Sequence, residues 1–288
     1  MTWFVLSLLT ALCESLKDVF SKKGLKITDE YVISWSLRFF ALFFLLPILF
    51  FIDIPLLGEK FWIALLIGGV LNVVTTVLYM KAIKYSDLSI TVPMVAFTPL
   101  FLLLTSPLII GEFPSFWGLI GILLIVTGSY VLNIREKHSS YFAPFHVLLK
   151  EPGPKRMLAV AFIWSITSNF DKIGVQNSSP IFWSVAVNLF VAVFLLPVMF
   201  YKSPRENLRL MPKNLSALIP VALFGALTVI FQMTAISLTL VAYVISIKRM
   251  GAVMSVLFGH FLFKEKGLKE RLVGASIMII GVLLIGLL

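Results

Sequence analysis

The sequence predicts an all-α polytopic membrane protein in which ten transmembrane helices form two inverted five-helix repeats. Of its residues, 59% are hydrophobic and only 13% are charged, and the charges bunch between long apolar runs. Each run has about twenty residues, roughly the length that a helix needs to cross a bilayer. A soluble domain could not bury so much apolar surface. The first half of the chain also reappears in the second half with its loop charges on opposite sides.

The ten runs account for most of the 288 residues, so no separate soluble domain is expected. The N-terminus lacks the basic region and cleavage site of a signal peptide, so a retained first span is predicted from Trp3 onward. The lone cysteine, Cys13, excludes an internal disulfide framework. The runs are centred near Leu12, Phe43, Val70, Leu100, Leu124, Phe162, Val191, Ala226, Met250 and Met278.

An internal repeat divides the chain. Residues 11–50 align without a gap on residues 161–200 with twelve of forty identities, among them Ser15 with Ser165 and Lys22 with Lys172. Further along the offset becomes 153 and pairs Glu112 with Glu265. Each repeat therefore holds five spans, and an odd number makes the second copy cross the membrane in the opposite direction. The predicted units are 1–134 and 157–288, joined by a cytoplasmic linker, 135–156.

Basic residues test this topology independently. The loops after the odd-numbered spans contain eighteen of them, whereas the loops on the other side contain only Lys60 and Lys172. The positive-inside rule places the first set in the cytoplasm and both termini on the outer side, in a plasma membrane such as a prokaryotic inner membrane. The net charge of +10 is thus interpreted as a topology signal and not as a nucleic-acid footprint.

Tryptophans near span ends are interpreted as interfacial anchors, because an indole with a polar N–H favours the membrane surface. They are Trp3, Trp62, Trp117 and Trp183.

The first span has a polar face. Its Ser7, Thr10, Glu14, Lys17, Asp18 and Ser21 fall within an arc of about 80° on a helix. Intramembrane charge is costly and usually functional, so Glu14, Lys17 and Asp18 are candidate site residues. Glu14 could bind a cation or carry a proton, or it could form a static pair with Lys17. Lys17 and Arg38 lie close enough to the cytoplasmic surface to snorkel. The sixth span has Trp164 in place of Glu14, so no two-fold carboxylate pair is expected.

Lys248 and Arg249 lie in the middle of the ninth span, about ten residues from its outer end and beyond comfortable snorkelling distance. Small residues follow Lys248 on its face, which suits close helix packing or a cavity. The guanidinium of Arg249 could fork onto a carboxylate or phosphate. The alternative is that both cations pair with Glu14 or Asp18. Gln232 could contribute a hydrogen bond to the site or between helices.

Prolines interrupt the fourth span but are not repeated in the ninth. Pro93, Pro99 and Pro107 make the fourth span a candidate cavity wall or gate, because unwound spans occur where a cavity or a neighbour satisfies the backbone.

Glycines spaced by seven residues recur in spans five and ten, and this pattern predicts a packing seam. They are Gly121 and Gly128 in the first repeat and Gly274 and Gly281 in the second. Glu112 and Glu265 open these two spans, where a carboxylate suits the helix N-terminus.

Enzyme signatures are missing from the sequence: it has no paired-histidine zinc motif, phosphate loop or nucleophile elbow. We therefore predict that the protein is neither an enzyme nor an ATP-driven pump, and we expect no metal site. Over the whole chain, the two halves that each close on a glutamate and a glycine-bearing last helix resemble the EamA-type drug/metabolite transporter superfamily. Pro99, thirteen residues before Glu112, fits that family, whereas Ala252 departs from it in the second half. The resemblance implies alternating access without a cofactor; the expected partners are the lipid bilayer and a small solute, with a monomer or homodimer as the assembly.

Two shorter resemblances concern the solute. Residues 11–22, with Glu14, resemble the first helix of small multidrug resistance proteins, which exchange protons for cationic drugs. Lys248-Arg249 followed by Ser255 resembles the ninth helix of plastid sugar-phosphate translocators, where the pair holds an anion. The leading hypothesis is a secondary transporter of a small zwitterionic or anionic metabolite, with protons as the candidate coupling ion. The alternatives are a proton-coupled exporter of cationic compounds centred on Glu14 and a membrane scaffold without transport.

Overall fold

In the computed structural model, residues 1–85, 92–133, 152–254 and 268–287 are described, and every regular element among them is helical. The first repeat consists of α1 (Thr2–Gly24), α2 (Glu30–Leu45, continued by a 3-10 turn, Leu46–Phe51), α3 (Phe61–Tyr85), α4 (Thr98–Ile110, preceded by a 3-10 segment, Val92–Phe97) and α5 (Phe116–Asn133). The second consists of α6 (Pro152–Gln176), α7 (Pro180–Lys202), α8 (Leu215–Leu238, preceded by a short helix, Arg205–Leu210, and a 3-10 turn, Met211–Asn214), α9 (Val241–Lys248) and α10 (Leu268–Gly286).

Each of the ten predicted spans contains one of these helices, and the predicted all-α fold is confirmed. Within the described ranges, four stretches are long and apolar enough to cross a membrane by length and composition: Glu30–Phe51, Phe61–Tyr85, Pro180–Lys202 and Arg205–Leu238. Shorter apolar helices cover Met94–Ile110, Phe116–Leu132 and Leu272–Gly286. The helices α1 and α6 are long enough but carry several charged residues, which lowers their hydropathy.

The helices pair across the two repeats according to a two-fold rule. Helix α1 packs on α8 and, correspondingly, α6 packs on α3, while α2 packs on α7 and α5 on α10. Helix α9 lies against α1, and α4 lies against α6. Exchanging the repeats leaves this set of contacts unchanged. Any site in the middle of the molecule is therefore built from both halves of the sequence.

Equivalent residues cap the second helix of each repeat. The side chain of Asp29 accepts hydrogen bonds from the backbone N–H groups of Tyr31 (2.8 Å) and Val32 (3.1 Å) at the start of α2. Ser179, 150 residues later, accepts one from the N–H of Phe182 (3.3 Å) at the start of α7. Both contacts satisfy donors that a helix N-terminus leaves unpaired. The repeat therefore extends to local structure.

Glycines of α5 and α10 face each other across a close helix contact. A Cβ atom placed on Gly121 would lie 2.9 Å from the Gly281 carbonyl oxygen, and one on Gly128 would lie 2.7 Å from the Gly274 carbonyl oxygen. Such an approach of two backbones leaves no room for a side chain. The four glycines therefore determine how closely these two helices pack.

Both chain ends lie on one face of the molecule, which we call the terminal face. Gly286, near the end of α10, lies against the ring of Phe4 near the start of α1. An even number of spans requires this arrangement. The linker predicted over 135–156 falls largely outside the described residues, and its last part is helical because α6 begins at Pro152.

The ninth span is interrupted in mid-course. Helix α9 ends at Lys248, and helix resumes over residues 251–254. Between them, hydrogen bonds that span three residues join the Arg249 N–H to the Ser246 carbonyl (3.0 Å) and the Met250 N–H to the Ile247 carbonyl (2.9 Å). The repeat offset of 153 places this break opposite the junction of the 3-10 segment and α4. The two spans are therefore interrupted at equivalent positions, although the prolines of the fourth span are not repeated in the ninth. Prolines interrupt the fourth span, whereas the ninth span is interrupted just before Gly251. A Cβ atom placed on Gly251 would lie 2.9 Å from the Ala11 carbonyl oxygen, so α1 passes close to the backbone at this point.

Candidate functional site

A buried charge cluster joins α1 to α9 in the middle of the molecule. Glu14 holds two ammonium groups: its Oε2 lies 3.0 Å from Lys17 Nζ and its Oε1 lies 3.3 Å from Lys248 Nζ. Lys248 Nζ also donates to Gln232 Oε1 at 2.9 Å. All four residues are buried. The structure thus brings together four of the residues predicted for the site, from three helices and both repeats.

Lys17 stays inside this cluster. Its Nζ lies 3.5 Å from Asp18 Oδ1 and 5.4 Å from the centre of the Tyr79 ring, and its side chain is 10% exposed. The expectation that Lys17 snorkels to the surface is therefore wrong. Carboxylates one turn and one residue away compensate its charge where it stands, so the side chain has no need to reach water.

Arg249 is the least compensated charge of the cluster. It is 9% exposed, its Nε has no hydrogen-bond partner, and within the described ranges no carboxylate forms a salt bridge with it. Its guanidinium lies 5.9 Å from the Trp164 ring centre, and Lys248 Nζ lies 5.7 Å from the same ring. Trp164, which replaces a second Glu14 in the repeat, therefore packs on both cations.

Two cavities meet at this cluster. The first encloses about 780 Å³ of empty space including its mouth, and the second about 460 Å³. Glu14, Lys248 and Arg249 line both. The first cavity extends along α6 and α7 toward the terminal face, whereas the second extends past Asp18 and Tyr79 toward the opposite face. Among the described residues, no group of three or more His, Cys, Asp or Glu could hold a metal ion.

Arg38 lines the first cavity and not the surface. It lies eight residues into α2, about 12 Å along the helix axis. Its Nη1 donates to Asn188 Oδ1 (3.4 Å), its Nη2 donates to Thr76 Oγ1 (3.1 Å), and its Nε has no hydrogen-bond partner. The snorkelling expected for Arg38 is therefore wrong. The polar residues that hold its end come from α3 and α7, which surround α2 at this depth.

A carboxylate faces Arg38 from the sixth helix. Asp171 lines the first cavity, and its Oδ1 accepts a hydrogen bond from Trp183 Nε1 at 2.9 Å. Trp183 is fully buried and packs on Gly174, so its interpretation as a surface anchor was wrong. Its indole N–H is satisfied by a buried acid and not by lipid head groups. Trp62 and Trp117, by contrast, are exposed on the surface of the bundle.

A second ion pair, between buried Lys172 and half-buried Glu112, lies at the terminal face, outside both cavities. Lys172 Nζ is 3.1 Å from Glu112 Oε1 and donates to the carbonyl groups of Ile236 and Thr239, both at 2.7 Å. Glu112 Oε2 accepts from the N–H of Val241 at 3.0 Å. Lys172 is therefore a buried residue of α6 and not a loop cation. Glu112 was expected to stabilise the N-terminus of α5, but its carboxylate caps the N-terminus of α9.

The interrupted part of the fourth span borders the second cavity. Pro93 belongs to the 3-10 segment Val92–Phe97, and Pro99 stands buried at the start of α4. Between them, Val95 and Ala96 line the second cavity, as do Gly251 and Ala252 of the ninth span. Both breaks therefore border this cavity.

Among the described residues, the ten helices α1 to α10, in two interlocked repeats, surround buried charges between two cavities, which is the architecture of a polytopic membrane protein. The EamA-like transporter family matches residues 1–134 and 154–287, and the chain belongs to this family. A solved structure described as "Crystal structure of protein" is similar over 100% of this chain and 96% of its own, with 14% identity and a TM-score of 0.71, which supports the fold. No curated protein matches the sequence.

Proposed function

We propose that this transporter carries a small anionic or zwitterionic organic solute, whose negative group binds Lys248 and Arg249. The observation that carries the proposal is the buried guanidinium of Arg249, which lines both cavities while no described carboxylate forms a salt bridge with it. An uncompensated charge in a buried, low-dielectric environment is costly. A solute carboxylate or phosphate would supply the missing counter-charge, and a guanidinium can bind either with two parallel hydrogen bonds.

The break in the ninth span supports this assignment. The helix ends at Lys248 and the next residues form a tight turn, so both cations stand at an interruption near mid-depth. In transporters with inverted repeats, interrupted helices at this depth supply the groups that bind the solute. Trp164 packs on both cations and lines the first cavity beside them, so a ligand bound there would also contact the indole.

Glu14 is proposed as the group that exchanges with the solute. Its carboxylate occupies Lys248 at 3.3 Å, where an incoming anion would compete for the same ammonium. An anion that displaces Glu14 from Lys248 releases its Oε1, which can then bind a proton or the amine of a zwitterion while Oε2 stays with Lys17. Proton coupling through Glu14 is therefore part of the proposal.

Alternating access is proposed around the same cluster. Glu14, Lys248 and Arg249 stand between a cavity directed to the terminal face and a cavity directed to the opposite face. Their contacts join the two repeats, so a rocking motion of one repeat against the other would change which cavity reaches them.

The test is solute uptake into vesicles that contain the purified protein, after a metabolite library has been screened for compounds that raise its melting temperature. We expect stabilising anions or zwitterions whose uptake is saturable and is lost in Lys248→Ala/Arg249→Ala. The exposed pair Arg205→Ala/Lys213→Ala removes the same charge elsewhere and should transport normally. Unchanged uptake in the Lys248/Arg249 variant would refute the proposal.

The cationic-drug exporter predicted as an alternative has a distinct signature. Glu14 lies at the junction of the two cavities, which suits a coupling carboxylate, but lysines hold both of its oxygens in this conformation. If cationic compounds stabilise the protein and only Glu14→Gln abolishes their effect, this alternative replaces the anion carrier. Saturable uptake of either class would exclude a scaffold without transport.

A further inference from the structure

The first cavity is lined by more cationic than anionic side chains. Its carboxylates, Glu14 and Asp171, are both engaged, the former by two lysines and the latter by the indole of Trp183. Its cations are Lys17, Arg38, Lys248 and Arg249. Both lysines have Glu14 as a counter-charge and Lys17 also has Asp18, whereas within the described ranges neither arginine has a carboxylate within salt-bridge distance. Arg249 is buried and Arg38 is half-buried, and both guanidinium groups line the cavity without a direct carboxylate partner.

The two arginines stand on different helices. Arg249 follows α9, while Arg38 lies in α2 with Thr76 and Asn188 as its hydrogen-bond acceptors. Both acceptors are neutral, and the Nε atoms of both arginines are buried without a hydrogen-bond partner. A neutral amide and a hydroxyl position a guanidinium but do not compensate its charge.

The fold does not require either arginine. Arg38 corresponds to Asn188 in the other repeat, and Arg249 corresponds to Ala96, so the same architecture forms with neutral residues at these positions. The seam glycines of α5 and α10, by contrast, are present in both repeats. A residue that serves packing is expected in both copies, whereas a residue that serves an asymmetric solute is needed in one. The unrepeated arginines fit the second case.

We propose that Arg38 is a second anion-binding pole of the cavity, so the solute is a small organic dianion with an oxyanion group at each end. One group binds Lys248 and Arg249, and the other displaces the weak contacts of Arg38 with Asn188 and Thr76. This inference rests on the proposed function of the Lys248/Arg249 pair. A zwitterion or a monoanion would bind only one of the two arginines that lack a direct carboxylate partner.

Matched ligands test the second pole. Each member of a panel of short-chain dicarboxylates, such as succinate, is compared with its monoamide, which keeps the shape and one carboxylate but replaces the other by a neutral amide. Binding to purified protein is measured by titration calorimetry with the wild type, Arg38→Gln, Arg38→Lys, Arg249→Gln, Lys248→Ala and the exposed control Arg205→Gln. Monodispersity and the ligand-free melting temperature verify that each variant is folded.

We expect at least one dicarboxylate to bind the wild type and Arg205→Gln about tenfold or more tightly than its monoamide, as charge-assisted hydrogen bonds predict. Arg38→Gln should abolish this preference while the monoamide binds as before, and Arg38→Lys should restore part of it. Arg249→Gln should weaken both ligands.

Other outcomes separate the two proposals. If no dicarboxylate binds the wild type, or if Arg38→Gln weakens both ligands equally or neither, the second pole is wrong. A monoamide that binds as well as its dicarboxylate to the wild type also overturns it, and the anion site at Lys248 and Arg249 survives. If the dicarboxylate preference depends on Arg38 but Arg249→Gln and Lys248→Ala have no effect on either ligand, the proposed function fails at its primary site and this inference fails with it.

Discussion

The Glu14 carboxylate on α1 lies 3.3 Å from the Lys248 ammonium on α9, so a buried ion pair joins the first repeat to the second. The same carboxylate holds Lys17 at 3.0 Å. One acid thus compensates two lysines at the level where the two cavities meet. Its removal leaves both ammonium groups without their shared counter-charge.

Glu14→Gln should therefore destabilise the ligand-free protein and tighten anion binding. Breaking a buried ion pair from one side costs about 3–5 kcal/mol, which lowers the melting temperature by several degrees. An anion no longer competes with Glu14 for Lys248, so its dissociation constant should fall. Thermal unfolding and ligand titration measure the two effects.

Asp18→Asn is the control for this prediction, because Asp18 lies 3.5 Å from Lys17 and outside the first cavity. It should change anion binding less than Glu14→Gln does. An unchanged melting temperature together with weaker anion binding in Glu14→Gln would show that the carboxylate does not compete with the solute.

The Lys172–Glu112 pair should contribute to stability without contributing to binding. Glu112→Gln leaves the Lys172 ammonium, whose side chain is 7% exposed, without its counter-charge and weakens the cap of α9. The expected cost is again about 3–5 kcal/mol, whereas Lys172→Met/Glu112→Gln removes both charges and should cost less than the two single changes together.

Thermal unfolding of Glu112→Gln, Lys172→Met and the double variant measures these costs. The dissociation constant of an anion bound at Lys248 and Arg249 serves as the internal control, since neither residue of the Lys172–Glu112 pair lines either of the two described cavities. Additive losses of stability would show that the two side chains do not interact, and a change in anion affinity would show that they affect the site.

The sequence predicted the fold because hydropathy, the repeat and the loop charges each report the same ten spans. It also pointed to Glu14, Lys248 and Gln232, and the structure places both Glu14 and Gln232 within ion-pair or hydrogen-bond distance of Lys248. These residues stand out because each is polar in the middle of an apolar run. Such a signal needs no knowledge of which helices are neighbours.

Arg38, Trp164 and Lys172 were misjudged or passed over because their roles depend on helix pairing. The distance of Arg38 from the span end is compatible with snorkelling, and only the packing of α2 on α7 turns it toward Asn188. Trp164 is apolar by composition and becomes part of the site through its contacts with two cations. Lys172 aligns with Lys22 at a span end, but its ammonium reaches back to backbone carbonyls of α8.

The α5–α10 seam should reject even a methyl group. Gly128→Ala would place a Cβ atom 2.7 Å from a backbone carbonyl oxygen of α10, and backbone cannot move aside as a flexible side chain can. We expect a loss of about 1–3 kcal/mol, measured as a lower melting temperature.

Gly68→Ala is the matched control for this substitution, because its Cβ atom would meet Phe170 at an ordinary 3.4 Å. Alanine is the better helix former by about 1 kcal/mol, so Gly68→Ala should be neutral or stabilising. Equal effects at both positions would contradict a packing role for the Gly128 contact.

The positive-inside rule predicts that the terminal face is outside the cell, and single cysteines test this. Thr2→Cys lies on the terminal face and Arg205→Cys on the opposite face, both at exposed positions. In intact cells a membrane-impermeant maleimide should label Thr2→Cys at once and Arg205→Cys only after permeabilisation. The unmodified protein is the blank, since its lone cysteine, Cys13, is buried. The reverse labelling pattern would show that the basic loops face outward, and the cavity lined by Asp171 would then open toward the cytoplasm.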